Sequence, residues 1–268
     1  MQVTYRQVEL TKRYPLRISR GEFSGSINLF VSLSDGTMTG LGEAAPGSLT
    51  GADTAQRCQS ELETFLDSCP EALDSPHEGW RLAREQGVST CAWAAVDIAL
   101  WDLLAKRAQL PLFRLLGLPR RAVATSVTVG ILPPDVVRER VPEILSRTGA
   151  RYLKVKLGSP EGLDADQAMY AAVVEASKDF DVIVRVDANG GWDLGSARQM
   201  MDWLKDRGCD YVEQPLHFDA DDQLPELFSK RSLPIFVDES CHVAADVARL
   251  AGAVDGVNLK LMKCGGIT

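Results

Sequence analysis

Lysines and carboxylates stand at regular intervals along the second half of the chain. Lys156 is followed by Asp187, Glu213, Asp238 and Lys260, at successive spacings of 31, 26, 25 and 22 residues. Each residue ends or interrupts a short apolar run, and each interval has the length of one strand and one helix together. The spacing predicts one charged group at the carboxyl end of each successive strand.

The three carboxylates among these residues predict a metal site. Like charges brought that close cannot all stay ionised without a cation. Carboxylate oxygens are ligands that select a hard ion, Mg²⁺ before Mn²⁺ or Ca²⁺. We therefore expect Asp187, Glu213 and Asp238 to bind Mg²⁺, with positions left for substrate oxygens.

The lysines predict acid–base chemistry beside that metal. Lys154 and Lys156 are two residues apart on one strand, so their side chains point the same way, and Lys260 lies four strands further round. A carboxylate chelated by Mg²⁺ has a more acidic alpha proton, because the enediolate's second negative charge forms against the metal. Lysines whose pKa is lowered by a neighbouring cation and the metal can act as opposed acid and base. One lysine would take the proton from one face and the other would return it to the opposite face, which is racemisation or epimerisation.

These groups need a scaffold of alternating strands and helices. Apolar runs typical of parallel strands recur in the second half, at residues 123–129, 152–157, 182–186, 211–212, 235–237 and 257–261. Both an open sheet and a closed barrel fit this alternation. A (β/α)₈ barrel brings the carboxyl ends of its strands to one mouth, whereas an open sheet would spread five groups over about 20 Å. The pattern favours an α/β fold with a TIM-type (β/α) barrel.

The first third of the chain predicts a smaller α+β unit. Strands are expected at residues 3–10, 27–34 and 37–42, with Asp35 and Gly36 as the turn between the last two. Helices are expected at residues 52–66, 76–85 and 89–107. We expect two domains, an α+β domain at residues 1–120 and a barrel at residues 121–268 that holds about six of eight strands. A chain that stops there is expected to be unstable or oligomeric by itself.

Composition excludes several classes of protein. The formal net charge is −8 and no Lys/Arg-rich run stands out, so nucleic acid is not an expected partner. The opening residues lack the pattern of a signal peptide, and no apolar run approaches the roughly 20 residues of a membrane helix. The six cysteines contain no CxxC pair, and we interpret them as reduced core residues of a cytoplasmic protein.

Five segments of the barrel domain and two of the α+β domain resemble the enolase superfamily, specifically its muconate-lactonizing-enzyme subgroup. The two segments of the α+β domain resemble the capping domain of that family. The segments are YLKVKLG (152–158), RVDANGGW (185–192), VEQPL (212–216), VDES (237–240), NLKLMKCGG (258–266), LFVSLSDGTMTGLGEAAP (29–46) and AVDIALWDLLAK (95–106). The KxK pair, in place of KxH, argues against the mandelate racemase subgroup. Within the muconate subgroup, LMKCGG resembles dipeptide epimerases.

The resemblance implies roles for individual residues. It makes the three carboxylates Mg²⁺ ligands, Lys156 and Lys260 the two acid/bases, and Lys154 a substrate-binding partner that lowers the pKa of Lys156. It places substrate loops at residues 17–26 and 45–53, where Arg20 either binds a side-chain carboxylate of the substrate or is a solvated loop arginine. Thr128 is also predicted to contact substrate. The acidic pair that such epimerases carry on an eighth strand has no counterpart here.

Several functions stay open. Dipeptide epimerase leads, and N-acylamino acid racemase, o-succinylbenzoate synthase and cycloisomerase would use the same metal and lysines. A reading of another class is an inactive fragment that serves as a binding or assembly partner. A homo-oligomer is possible in either case. The identity of the dipeptide and the pathway do not follow from these residues.

Overall fold

A computed structural model describes residues 1–121 and 124–268, which form two compact units. Unit 1 comprises Met1–Thr11, Gly25–Ala122 and Leu259–Thr268, and unit 2 comprises Lys12–Ser24 and Val123–Asn258. This division departs from a single boundary after residue 120 in two places. Residues 12–24 belong with the second unit, and the last segment of the chain belongs with the first.

The strands and helices follow the order expected from the sequence. The strands are β1 (Gln2–Ile18), β2 (Gly21–Ser34), β3 (Thr39–Ala44), β4 (Ser126–Val129), β5 (Tyr152–Lys156), β6 (Ile183–Asp187), β7 (Val212–Glu213), β8 (Ile235–Val237) and β9 (Gly256–Val257). The helices are α1 (Ala55–Ser68), α2 (Pro76–Glu85), α3 (Thr90–Arg107), α4 (Leu112–Leu115), α5 (Pro134–Thr148), α6 (Leu163–Ser177), α7 (Leu194–Lys205), α8 (Leu224–Ser229), α9 (Ala244–Leu250) and α10 (Leu261–Cys264). The expected strand at 123–129 starts at a residue outside the described part of the chain.

The antiparallel sheet of unit 1, in the order β1-β2-β3, is covered by helix α3. Alternate residues of β2, Leu29, Val31 and Leu33, are fully buried in the core that α3 joins, as the period of a strand requires. The sheet and the helix approach closely because β3 has glycines at that face. A Cβ at Gly42 would lie 1.9 Å from the carbonyl oxygen of Ala95. The helix predicted at residues 89–107 is present as α3, and its backbone packs directly on β3.

The prediction that residues 17–26 form a loop is wrong. β1 continues to Ile18 and β2 begins at Gly21, so the two strands form one long hairpin whose turn is at Ser19 and Arg20. The turn is possible because Gly21 has a φ of 142°. Residues 45–53, the other predicted loop, contain no helix or strand in the structure.

Unit 2 is a parallel sheet with helices between its strands, in the order β4-β5-β6-β7-β8-β9. Along β5, Leu153 and Val155 are fully buried in the helix-packed core, whereas Lys154 and Lys156 point to the other face and are partly exposed. The predicted α/β fold, with an N-terminal antiparallel unit and a parallel βα unit, is confirmed. No helix in the described ranges is long and apolar enough to cross a membrane.

The predicted last strand, residues 257–261, is mostly wrong. β9 ends at Val257, and Leu261 already begins a one-turn helix that Gly265 ends in the left-handed conformation, with a φ of 89°. Lys260 is therefore the N-cap residue of α10 and is not part of a strand.

Candidate metal and acid–base site

The register of unit 2 brings the predicted residues of three strands together. Lys156 pairs across the sheet with Asp187, and Asp187 pairs with Glu213 on the next strand. Asp238 follows the last residue of β8, the strand after that. Thr128 is the cross-strand partner of Lys154, and its side chain is exposed on the same face. The carboxyl ends of four consecutive strands thus carry two lysines and three carboxylates, of which Asp187 and Glu213 are direct cross-strand neighbours.

Each of the two lysines of β5 is paired with a buried carboxylate. Lys156 Nζ lies 2.5 Å from Asp187 Oδ2, and Lys154 Nζ lies 2.5 Å from Glu213 Oε2. The carboxylate side chains are 1% and 2% exposed, and those of Lys156 and Lys154 are 12% and 17% exposed. The second oxygen of Glu213 accepts a hydrogen bond of 2.9 Å from Asn258 Nδ2. Buried charges of this kind are stable only when paired, and here the ammonium groups supply the positive charge.

Burial and neighbouring charges shift the pKa values of Asp187 and Lys154. Burial raises the pKa of Asp187, and although Lys156 opposes the rise, the negative charge of Glu213 adds to it. Burial by itself would lower the pKa of Lys154, but the charge and hydrogen bond of Glu213 outweigh it, so the pKa of Lys154 is raised. The shift follows from the ion pair of Lys154 with Glu213.

The donor set fits a hard divalent cation, although the side chains are turned to the lysines. Within the described residues, no three His, Cys, Asp or Glu side chains are grouped as a metal-binding set. Asp187 and Glu213 are nevertheless nearly fully buried cross-strand neighbours, and both side chains offer only oxygen atoms as metal ligands. Asp238, at the end of the next strand, is 2% exposed. The assignment of these three residues to Mg²⁺ stays a prediction.

Gln214, which the sequence analysis did not single out, holds the third carboxylate in place. Its Oε1 accepts hydrogen bonds from the backbone N–H groups of Asp238 (2.9 Å) and Ser240 (3.2 Å). Its Nε2 donates to the carbonyl oxygen of Leu216 (2.8 Å) and to Ser240 Oγ (2.7 Å). The residue is fully buried and adopts a left-handed backbone with a φ of 41°. The only sequence signal for this role is its place directly after Glu213 in VEQPL.

Asp166 was also missed, and it ties together the loops that follow β5 and β6. One carboxylate oxygen accepts N–H bonds from Gly158 (3.0 Å) and from the Trp192 indole (2.9 Å), and the other accepts one from Ser159 (2.9 Å). Asp166 is 1% exposed, and burial raises its pKa. The aspartate thus fixes the chain just after Lys156.

Arg20 is engaged by the protein itself. Its Nη2 lies 2.6 Å from Oε1 of Glu239, a side chain that is 3% exposed, and its Nη1 donates to the carbonyl oxygen of Asn189 (3.1 Å). Asn189 Nδ2 donates to the same oxygen of Glu239 at 3.0 Å, and Asn189 has a left-handed φ of 46°. The guanidinium therefore binds a carboxylate of the protein while its side chain is 36% exposed, and its contact with substrate stays a prediction.

Lys260 lies in unit 1, in the segment Leu259–Thr268. It is exposed and lines a groove of that unit together with Leu41, Glu43, Ile98 and Met262. Its assignment as the second acid/base comes from the sequence pattern and stays a prediction.

Comparison with known proteins agrees with this architecture. The family description "Mandelate racemase / muconate lactonizing enzyme, N-terminal domain" matches residues 1–117, and "Enolase C-terminal domain-like" matches residues 136–268. The chain is 60% identical to a hydrophobic dipeptide epimerase of Roseobacter litoralis, over all of this chain and 77% of that protein. It is 51% identical to a hydrophobic dipeptide epimerase of a Flavobacteria bacterium, over all of this chain and 76% of that protein.

Solved structures give the same result. A dipeptide epimerase of Enterococcus faecalis V583, complexed with Mg and the dipeptide L-Leu-L-Tyr, superposes with a TM-score of 0.89 at 32% identity. The match covers 99% of this chain and 75% of that one. The resemblance drawn from the sequence motifs is thereby confirmed: the chain belongs to the enolase superfamily, with a mandelate racemase/muconate lactonizing enzyme N-terminal domain followed by an enolase C-terminal-like domain.

Proposed function

We propose that this protein is a Mg²⁺-dependent dipeptide epimerase that inverts the carbon alpha to the carboxylate of apolar dipeptides. The observation that carries the proposal is the register Lys156–Asp187–Glu213, which sets a partly buried lysine beside two buried carboxylates at the strand ends. A base and a hard-cation donor set in contact are what proton abstraction alpha to a carboxylate requires.

Asp187, Glu213 and Asp238 would hold the metal. Bound Mg²⁺ supplies Lewis acidity and stabilises the charge that develops when the alpha proton leaves. A cation bound to Glu213 would offset the negative charge of that carboxylate, which is what raises the pKa of Lys154. Lys154 is then a candidate to bind the substrate carboxylate, with Thr128 next to it across the sheet.

Lys156 would exchange the proton on one face of the substrate carbon. Its side chain is 12% exposed, so Nζ is in a partly desolvated place, and the chain after it is fixed by Asp166. Lys260 is the proposed acid/base for the opposite face, on the sequence pattern NLKLMKCGG. Each lysine then serves one stereoisomer as base and the other as acid.

Apolar substrates are favoured over acidic ones. Arg20, the cation predicted to bind a side-chain carboxylate of the substrate, is neutralised by Glu239 at 2.6 Å. The two relatives of highest identity considered above are both hydrophobic dipeptide epimerases. An acidic side chain would therefore meet a guanidinium whose positive charge is already offset by a carboxylate of the protein.

A reducing compartment fits the cysteines. All six are free thiols, including Cys58 and Cys91, whose buried Sγ atoms are 3.6 Å apart. We infer a cytoplasmic location from this, and homo-oligomerisation stays a prediction.

The test is a substrate panel with Mg²⁺. The purified chain is incubated with L-Leu-L-Tyr, with L-Ala-L-Glu and with an N-succinyl amino acid, and the products are separated on a chiral column. We expect inversion of L-Leu-L-Tyr in preference to L-Ala-L-Glu, and loss of inversion in Asp187→Asn. Arg138→Gln, which alters an exposed ion pair with Glu175, is the matched control and should behave as the parent.

Three outcomes would contradict the proposal. Preference for the N-succinyl amino acid would make the protein a racemase of acyl amino acids. Preference for L-Ala-L-Glu would refute the apolar substrate class. Absence of inversion together with no measurable Mg²⁺ binding would favour a binding or assembly role.

A further inference from the structure

Asp97, in the middle of helix α3, is a buried carboxylate with no part in the chemistry proposed above. It is fully buried in unit 1, and the sequence around it is apolar on both sides. A carboxylate in such a place is costly unless hydrogen bonds offset its loss of water. Its partners therefore indicate why it is there.

The partners of Asp97 are backbone N–H groups of the segment that carries Lys260. Asp97 Oδ2 accepts hydrogen bonds from the N–H of Ile267 at 2.5 Å and from the N–H of Thr268 at 3.1 Å. Gly266 packs against the same carboxylate so closely that an added Cβ would lie 2.2 Å from Oδ2. Charge-assisted bonds of this kind are among the stronger hydrogen bonds in proteins.

The rest of the segment is a single compact turn between Asp97 and Lys260. The carbonyl oxygen of Lys260 accepts hydrogen bonds from the N–H groups of Lys263 and Cys264, so Lys260 starts the turn of α10. The carbonyl of Leu261 accepts those of Gly265 and Gly266, which end it. This one turn, which rises about 5.4 Å, and the two glycines after it separate Lys260 from the residues that Asp97 holds.

Helix α3 is itself a rigid base for this contact. Its backbone packs in close contact with β3 at Gly40 and Gly42. Ile98, the residue after Asp97, lines the same groove as Lys260. The indole of Trp80, on α2, donates to the carbonyl of Cys264 at 3.2 Å and supports the turn from a second helix.

We infer that Asp97 is a positioning residue that sets the place of Lys260 through the segment Leu259–Thr268. This rests on the proposed function of Lys260 as the acid/base for one face. The central helix of unit 1 then holds one of the two bases. Misplacing a catalytic group by about 1 Å can cost roughly 100-fold in rate, so loss of the anchor should be felt at Lys260.

The experiment is stereospecific exchange of the alpha proton in deuterated water. The parent and the variants are given Mg²⁺ with L-Leu-L-Tyr and, separately, with its epimer L-Leu-D-Tyr, and deuterium uptake is followed by NMR. Lys260→Ala defines which epimer depends on Lys260. We expect Asp97→Ala to slow exchange of that epimer about 10- to 100-fold, and to leave the other epimer within about twofold of the parent. Asp97→Asn, which keeps one acceptor oxygen, should give a smaller loss of the same kind.

Two further variants control for folding. Asp102 is on the same helix and accepts a backbone N–H from Leu41 at 2.8 Å, so Asp102→Ala removes the same kind of bond without touching the final segment. It should slow both epimers alike or neither. Gly266→Ala breaks the contact from the other side and should reproduce the epimer-selective loss even if Asp97→Ala does not fold.

Equal slowing of both epimers in Asp97→Asn and Gly266→Ala would overturn the inference, as would parent-like exchange of both. A parent chain that exchanges neither epimer would overturn the proposed function, and this inference with it.

Discussion

We expect Gln214 to contribute to both the stability of the fold and the affinity for Mg²⁺, although it has no catalytic role. It is fully buried between Glu213 and the loop that carries Asp238, and its side chain makes four hydrogen bonds. We consider Gln214→Met, because methionine has a similar length and volume but is only a weak acceptor for the Asp238 N–H and cannot donate to the Leu216 carbonyl. The change therefore removes the hydrogen bonds without creating a large cavity.

The expected loss of stability follows from the groups left without partners. The N–H groups of Asp238 and Ser240 lose their acceptor, and each unsatisfied buried group costs about 1–3 kcal/mol. We therefore expect the free energy of unfolding to fall by about 2–5 kcal/mol. Mg²⁺ affinity should fall as well, by roughly 10- to 100-fold, as is typical when a residue that orients a metal ligand is lost.

Urea unfolding and isothermal titration with Mg²⁺ measure the two effects. The matched control is Gln167→Met on α6, where Gln167 makes one weak contact, 3.7 Å from its Nε2 to Met200 Sδ. That variant should stay within about 0.5 kcal/mol of the parent. If Gln214→Met also unfolds within that margin and binds Mg²⁺ as the parent does, the role given to Gln214 is refuted.

Three further changes test other parts of the structure. Gly42→Ala should destabilise unit 1 by about 1–3 kcal/mol or more in thermal unfolding, because the added Cβ would lie 1.9 Å from the Ala95 carbonyl oxygen. The control Gly195→Ala, where the nearest atom is at 3.5 Å, should be neutral or stabilising. Arg20→Gln should destabilise more than Glu239→Gln, since it leaves the buried carboxylate unpaired, and the double variant should be non-additive; additive losses in urea unfolding would refute the pairing. The turn residue Asp35 has a lowered pKa because it accepts hydrogen bonds from the N–H groups of Met38 and Thr37, so the stability it adds is present above about pH 4 and is lost as pH falls further. The difference in melting temperature between Asp35→Asn and the parent should therefore shrink between about pH 6 and pH 3. A constant difference would contradict this.

Local patterns were sufficient to predict strands β5, β6 and β7 and the charged residues at their ends. Leu153 and Val155 alternate with Lys154 and Lys156, and this period of two correctly gave both the strand β5 and its two faces. The placement of Lys156, Asp187 and Glu213 side by side follows from one charge per βα unit, because parallel strands in register put equivalent ends next to each other.

What could not be predicted depends on contacts between distant parts of the chain. Arg20 has its partner Glu239 far along the sequence, so its role could not be read from the residues around it. The left-handed backbone of Gln214 is held by tertiary hydrogen bonds and has no signal in residue type, unlike that of a glycine or an asparagine. Lys260 was assigned to a strand because apolar neighbours suggest one, whereas the glycines after it allow the chain to form a helical turn that Asp97 holds.

The central claim is that Lys156 moves a proton on one face of the carbon alpha to a substrate carboxylate. The most direct measurement is NMR of L-Leu-L-Tyr and of its epimer with Mg²⁺ in deuterated water, comparing the parent with Lys156→Ala. We expect the parent to introduce deuterium at that carbon in each inverted molecule, and Lys156→Ala to stop inversion while still exchanging the proton of one epimer. Inversion without deuterium, or exchange of both epimers at parental rates in Lys156→Ala, would contradict the account.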